Sequence, residues 1–158
     1  MKSRTSFFNV TALRKNLTRF APAWGLYGLL LLLIVLTVSD QAGINFARMM
    51  GYSISTMVVV NFCYALLCAL LLFGDLYNSR MCNALHAMPM RREGWFLTNV
   101  VSGLLFSLIP NTVVALLGVI LSEELWMFPL LWLGAVTMQF LFFFGVAVFS
   151  GYLVGNRV

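Results

Sequence analysis

The segment 75-DLYNSRMCNALHAMPMRRE-93 is the longest polar interruption in a chain that is otherwise built of apolar blocks. Met50 to Phe73 precedes it, and the block from about Arg92 to Leu121 grows out of its end. Each block exceeds the roughly 20 residues that a helix needs to cross a bilayer's hydrocarbon core. The segment therefore reads as a connector between two transmembrane helices, and the rest of the chain follows from that assignment. It carries Arg80, Arg91, Arg92 and the single histidine, His86.

Composition agrees. The 158 residues are 61% hydrophobic and 9% charged, with a mean hydropathy of +0.93. A soluble domain carries about 25% charged residues. So apolar a chain cannot cover itself with polar surface, which predicts an all-α, polytopic membrane protein. The net charge of +5 does not indicate nucleic acid as a partner, because the basic residues sit at the ends of the apolar blocks. Cys63, Cys68 and Cys82 form no metal or redox spacing and read as reduced thiols. No Gly-rich phosphate loop and no hydrolase or metalloprotease motif is present, so neither a cofactor nor a catalytic or metal site is expected.

Working outward from the connector, residues 1–21 form a basic segment in which Phe7, Val10, Leu13, Leu17 and Phe20 recur at helical spacing. This predicts an amphipathic helix lying in the membrane interface, with its basic face toward anionic headgroups. A disordered basic tail is the alternative. Residues 22–158 are expected to form the transmembrane domain, with four helices over about 22–39, 50–73, 92–121 and 124–154. Trp24 and Tyr27 suit an interfacial belt, and the stretch Leu29 to Leu36 suits a lipid-facing surface. Asp40 to Arg48 and Ser122 to Glu124 read as short loops, Ser122 capping the last helix. Asn61 in the second helix must face another helix, because an amide in lipid needs a partner. In the third helix Pro110 removes a backbone donor and predicts a kink. The carbonyl it frees, at Phe106, and the Asn111 side chain must then face protein or a wet cavity. Ala147, Gly151 and Gly155 form a ridge of small residues for helix packing.

Charge predicts orientation. With both termini and the connector in the cytoplasm, every Lys and Arg except Arg48 lies inside, as the positive-inside rule requires. No Asp, Glu, Lys, Arg or His falls near the middle of any expected span, which argues against a proton- or ion-coupled carrier. Cys82 and His86 could share a helix face, but no third group orients the histidine, so an enzyme is not expected.

The stretch 83-NALHAMPMRREGWFLTNVVSGLLFSLIPN-111 resembles the intracellular loop and third helix of bacterial ABC transporter permeases of the type 2 exporter class. The segment Leu85-His86-Ala87-Met88-Pro89-Met90-Arg91-Arg92-Glu93 stands where that class carries a short Leu-Pro-containing motif ending in a basic residue. The basic start of the chain is similar to the connecting helix of the same class. The resemblance implies the membrane-spanning part of an ATP-driven exporter in the cytoplasmic (inner) membrane. A second permease domain would complete the dimer, and a separate nucleotide-binding ATPase subunit would act as motor. Such domains have six helices, so the four expected here imply an incomplete one.

The residues of the connector allow the same role. Met81, Leu85 and Met88 share one face of a short helix that Pro89 ends, and a Met-rich apolar face on a cytoplasmic loop suits docking into a partner's groove. Arg80, Met81, Leu85, Met88, Arg91 and Arg92 are the expected ATPase-docking residues. Asn61, Pro110 and Asn111 are the expected kink or pathway residues. A small membrane scaffold or assembly protein without transport activity is the alternative function.

Overall fold

The computed structural model describes residues 10–42, 46–74, 92–121 and 127–154. They form five helices: α1 (Val10–Arg19), α2 (Ala21–Ala42), α3 (Phe46–Phe73), α4 (Arg92–Leu121) and α5 (Met127–Val154). The described part of the chain is thus all-helical. Its prolines sit where helices tolerate them or where the fold compensates. Pro22 and Pro129 lie in the first turns of α2 and α5, where the missing N–H has no helical partner to lose. Pro110 lies inside α4, which continues through it as one element.

α1 and α2 meet at Phe20 with a bend of 59°. The backbone bonds from Phe20 N to Asn16 O (3.0 Å) and from Trp24 N to Phe20 O (3.4 Å) keep the corner closed. Pro22 suits a break here: it has no N–H with which to carry the ladder of α1 on into α2, and in the first turn of α2 it loses no bond of that helix.

α3 and α4 form a central antiparallel pair. α2 packs against both on one side and α5 against both on the other, most extensively against α3. α1 rests on α4. The core is made by one face of each long helix: Leu31 from α2, Met57, Ala65 and Cys68 from α3, Phe106 and Val114 from α4, and Trp132, Val136 and Phe140 from α5. Glycine allows close approach at two crossings. A Cβ at Gly103 would clash with the Cζ edge of the Phe144 ring, and one at Gly118 would meet Met50 Sδ at 2.5 Å and Pro129 Cγ at 3.1 Å.

The opposite faces are apolar and exposed, among them Leu26, Leu29 and Leu33 of α2, Val59 and Leu70 of α3, Leu116 and Ile120 of α4, and Phe142 and Phe149 of α5. Three helices are long and apolar enough to cross a membrane, over Ser53–Phe73, Glu93–Ile120 and Met127–Gly151. A fourth span is reached only if α1 and Ala21–Ile34 are counted together as one bent element.

The structure moves several expected boundaries. α2 runs to Ala42 and α3 starts at Phe46, so Asp40 and Arg48 belong to helices rather than to a loop over 40–48. Met50, in the second turn of α3, is fully buried. α5 is described from Met127, and the expected turn at Ser122 to Glu124 lies outside the described residues. α4 has the expected limits. Nor is Leu29 to Leu36 lipid-facing throughout: Leu31 is fully buried, because any helix in a bundle must give one stripe to its neighbours.

Candidate functional site

Polar side chains from all four long helices meet inside the bundle. Tyr27 of α2 donates its hydroxyl hydrogen to Asn61 Oδ1 of α3 at 2.7 Å, and Asn111 Oδ1 of α4 lies 3.3 Å from the same hydroxyl. The Asn61 amide nitrogen donates to two groups of α5, the Val136 carbonyl and Gln139 Oε1, both at 3.2 Å. Gln139 in turn donates to the Ile54 carbonyl of α3 at 3.3 Å. Asn111 donates to Ser107 Oγ at 3.1 Å, one turn back on α4. Asn61 and Asn111 are both fully buried. Among the described residues, no buried side-chain nitrogen or oxygen lacks a partner.

Pro110 is integrated into this hub from the backbone side. The carbonyl it leaves without a helical donor, at Phe106, accepts the Tyr64 hydroxyl of α3 at 3.0 Å. The Tyr64 ring stacks flat on Tyr27, with centroids 3.8 Å apart and planes at 1°. Gly28 lies against the proline ring: a Cβ there would be 3.1 Å from Pro110 Cβ. The requirement that the Phe106 carbonyl and Asn111 face protein is met, as is the requirement that Asn61 face another helix.

A second cluster lies toward the end of the bundle where α3 finishes and α4 begins. Asn16 of α1 donates to Asn99 Oδ1 at 3.0 Å and to Ser102 Oγ at 3.2 Å, both on α4. Asn99 donates across to the Leu72 carbonyl in the last turn of α3 at 3.1 Å. Such last-turn carbonyls have no helical donor of their own, so Asn99 acts as a cap as well as a bridge. Trp24 donates its indole N–H to the Leu17 carbonyl at 3.1 Å, closing the corner between α1 and α2. At the far end, Trp132 of α5 donates to Ser53 Oγ of α3 at 3.0 Å.

The structure therefore brings together Asn61, Pro110 and Asn111, the residues expected to mark a kink or pathway. Arg80, Met81, Leu85, Met88 and Arg91, the residues expected to dock an ATPase, lie outside the described residues, as do Cys82 and His86. Arg92 is the first residue of α4. Sequence reasoning missed Tyr27 as a hub residue, since it reads as an interfacial aromatic two helical turns after Phe20. It also missed Tyr64 and Asn16. The signal for Tyr64 was indirect: a proline inside a helix requires a donor from a neighbour. For Asn16 no local signal exists.

Hydroxyl, amide and backbone groups, with the buried Cys68 thiol beside Tyr64, make up the hub. Such groups fix helix register and can contact a neutral polar solute, but none is a nucleophile with an adjacent base. Among the described residues there is no group of three or more His, Cys, Asp or Glu that could hold a metal ion. No protein-family model, curated protein or solved structure matches the chain.

Proposed function

We propose that the chain is an integral membrane protein of the cytoplasmic membrane, with α2 to α5 as four spans and α1 as an interfacial helix. In this reading both termini and the connector 75–93 are cytoplasmic, which keeps every basic residue but Arg48 inside. The exposed apolar faces supply the lipid-contacting surface. The exposed Arg14, Lys15 and Arg19 argue against α1 as the first part of a bent span, since ionised groups at membrane depth are costly.

Its function is that of a permease segment of an ATP-driven exporter, worked by a separate ATPase subunit through the connector. One observation carries this reading on the structural side: Asn99 ties α1, the end of α3 and the start of α4 into one unit at the point where the connector leaves and returns. A push on 75–93 would thus act on α1, α3 and α4 together. Met81, Leu85 and Met88 supply the apolar anchor on the motor, and Arg80, Arg91 and Arg92 pair with its acidic groups or with headgroups. Burying three such side chains contributes about 1.5–3 kcal/mol each before ordering costs. Asn61, Pro110 and Asn111 then lie where helix movement would open or close a route between α2, α3 and α4.

The test is Leu85→Asp, which puts a charge in the proposed contact without touching a span. A cytoplasmic ATPase is expected to co-purify with the tagged wild-type protein and to be lost at least about tenfold from the variant, an amount equal to ~1.4 kcal/mol of binding, while membrane insertion is unchanged. Undiminished co-purification sinks the docking assignment.

A scaffold without transport activity is the second reading. It is favoured by the internal pairing of the polar groups: among the described residues, every buried side-chain nitrogen or oxygen already has a hydrogen-bond partner. In that case the same purification yields membrane proteins and no ATPase.

A further inference from the structure

α1 uses its two sides for different purposes. Leu13, Asn16, Leu17 and Phe20 are partly buried, with Leu17 and Phe20 packed against the hydrophobic core and the Phe20 ring 6.0 Å from that of Phe106 in an edge-on arrangement. Val10, Thr11, Arg14, Lys15, Thr18 and Arg19 are exposed. The stripe that sequence periodicity assigned to lipid is thus largely occupied by protein, and Val10, one of its members, is 66% exposed. A helix whose apolar side is already taken cannot bind a bilayer by inserting that side. What remains outward is a basic arc, with no acidic residue anywhere in the chain before Asp40.

Position adds to this. α1 is joined to the apolar α2 through Phe20 alone, and the Arg19 guanidinium lies over the Phe20 ring at 5.1 Å, directly beside the first turn of α2. In a membrane-embedded protein the arc must stand at headgroup depth. Its inner side is bonded through Asn16 to Asn99, which caps the end of α3 at Leu72.

We propose that the exposed arc of Arg14, Lys15 and Arg19 is a binding surface for anionic phospholipid headgroups, and that the Asn16–Asn99–Leu72 chain transmits their binding to the junction of α3 and α4. Attraction is electrostatic rather than insertional, so it is sensitive to salt and to the anionic lipid fraction. Each basic residue near an anionic surface contributes about 1 kcal/mol, so three give on the order of a hundredfold preference over neutral lipid. Binding holds α1 on the bundle, and the bonded end of α3 opens less often. The inference rests on the membrane placement proposed above but not on any ATPase.

The experiment compares hydrogen exchange of the full-length protein in phosphatidylcholine vesicles with that in vesicles containing one-third phosphatidylglycerol. Amides of 68–74 and 96–102 are expected to exchange about tenfold more slowly with the anionic lipid, and 0.5 M salt is expected to erase the difference, in keeping with a Debye length of roughly 4–5 Å at that strength. The surface variant Arg14→Gln/Lys15→Gln/Arg19→Gln should lose the response. Asn16→Ala should keep the slowing within α1 and lose it at 68–74. Equal exchange in both vesicles, or a full response in the triple variant, overturns the proposal. So does slowing by free glycerol phosphate in neutral vesicles, which would mark an ion site rather than a membrane surface. Failure of the protein to remain in the vesicles after carbonate extraction refutes the membrane placement itself and is read separately.

Discussion

The hub around Asn61 and the cluster around Asn16 use the same chemistry in different surroundings. Both are centred on an asparagine amide that donates twice, to Val136 and Gln139 in one case and to Asn99 and Ser102 in the other. Asn61 is fully buried between four helices, whereas Asn16 is only partly covered on a helix at the edge of the fold. A bond lost in the hub strands its partners without water. A bond lost at Asn16 vacates a part-exposed position at the edge of the fold, through which water can reach the otherwise buried Asn99 and Ser102. The same hydrogen bond is therefore a requirement of folding in one place and an adjustable contact in the other, because the penalty for an unmade bond is set by what else can reach the group.

The sharpest way to break this contrast is Asn61→Ala. It leaves Gln139 Oε1 without its Asn61 donor and takes one partner each from the Tyr27 hydroxyl, which keeps Asn111, and the Val136 carbonyl, which lies within α5. Unfolding in mixed detergent is expected to show a loss of about 2–4 kcal/mol, since each stranded buried group costs roughly 1–3. A loss below about 1 kcal/mol would mean that the hub relaxes as freely as the edge.

Tyr64→Phe comes next. It removes one donor from the Phe106 carbonyl and keeps the ring stacked on Tyr27. The expected cost is about 1–2 kcal/mol. Pairing it with Pro110→Ala, which gives the carbonyl back its helical donor, should reduce that cost by at least half. Full additivity of the two changes would show that Tyr64 does not compensate for the proline.

Asn16→Ala should have the smallest effect, about 0.5–1 kcal/mol or less, with protease sensitivity rising in α1 and unchanged in α3 to α5. A cost equal to that of Asn61→Ala would erase the distinction between the two sites.

Much of the bundle is legible in the sequence. Long apolar runs broken at 75–93 give long helices, and the limits of α4 follow from Arg92 at one end and the change of composition after Leu121 at the other. The need of Asn61, Asn111 and the Phe106 carbonyl for partners was also legible, because a buried polar group without one is too costly to keep. The partners were not. Tyr27 lies 34 residues from Asn61 and 84 from Asn111, and nothing local distinguishes it from the aromatics that line a membrane boundary.

What the sequence by itself determined is the inventory: helical blocks, their outward apolar faces, the placement of charge at their ends, and a short set of polar residues that must be satisfied internally. Those follow from transfer energies and backbone requirements, which act residue by residue. Only the tertiary structure decided which face of each helix turns inward, that the apolar stripe of α1 lies on α4, and that Tyr27, Asn61, Asn111 and Gln139 close one network. These depend on the simultaneous fit of four helices, where glycines at 28, 103 and 118 set how near the backbones can come. No single helix contains that information, because a contact's worth is fixed by the surface that meets it.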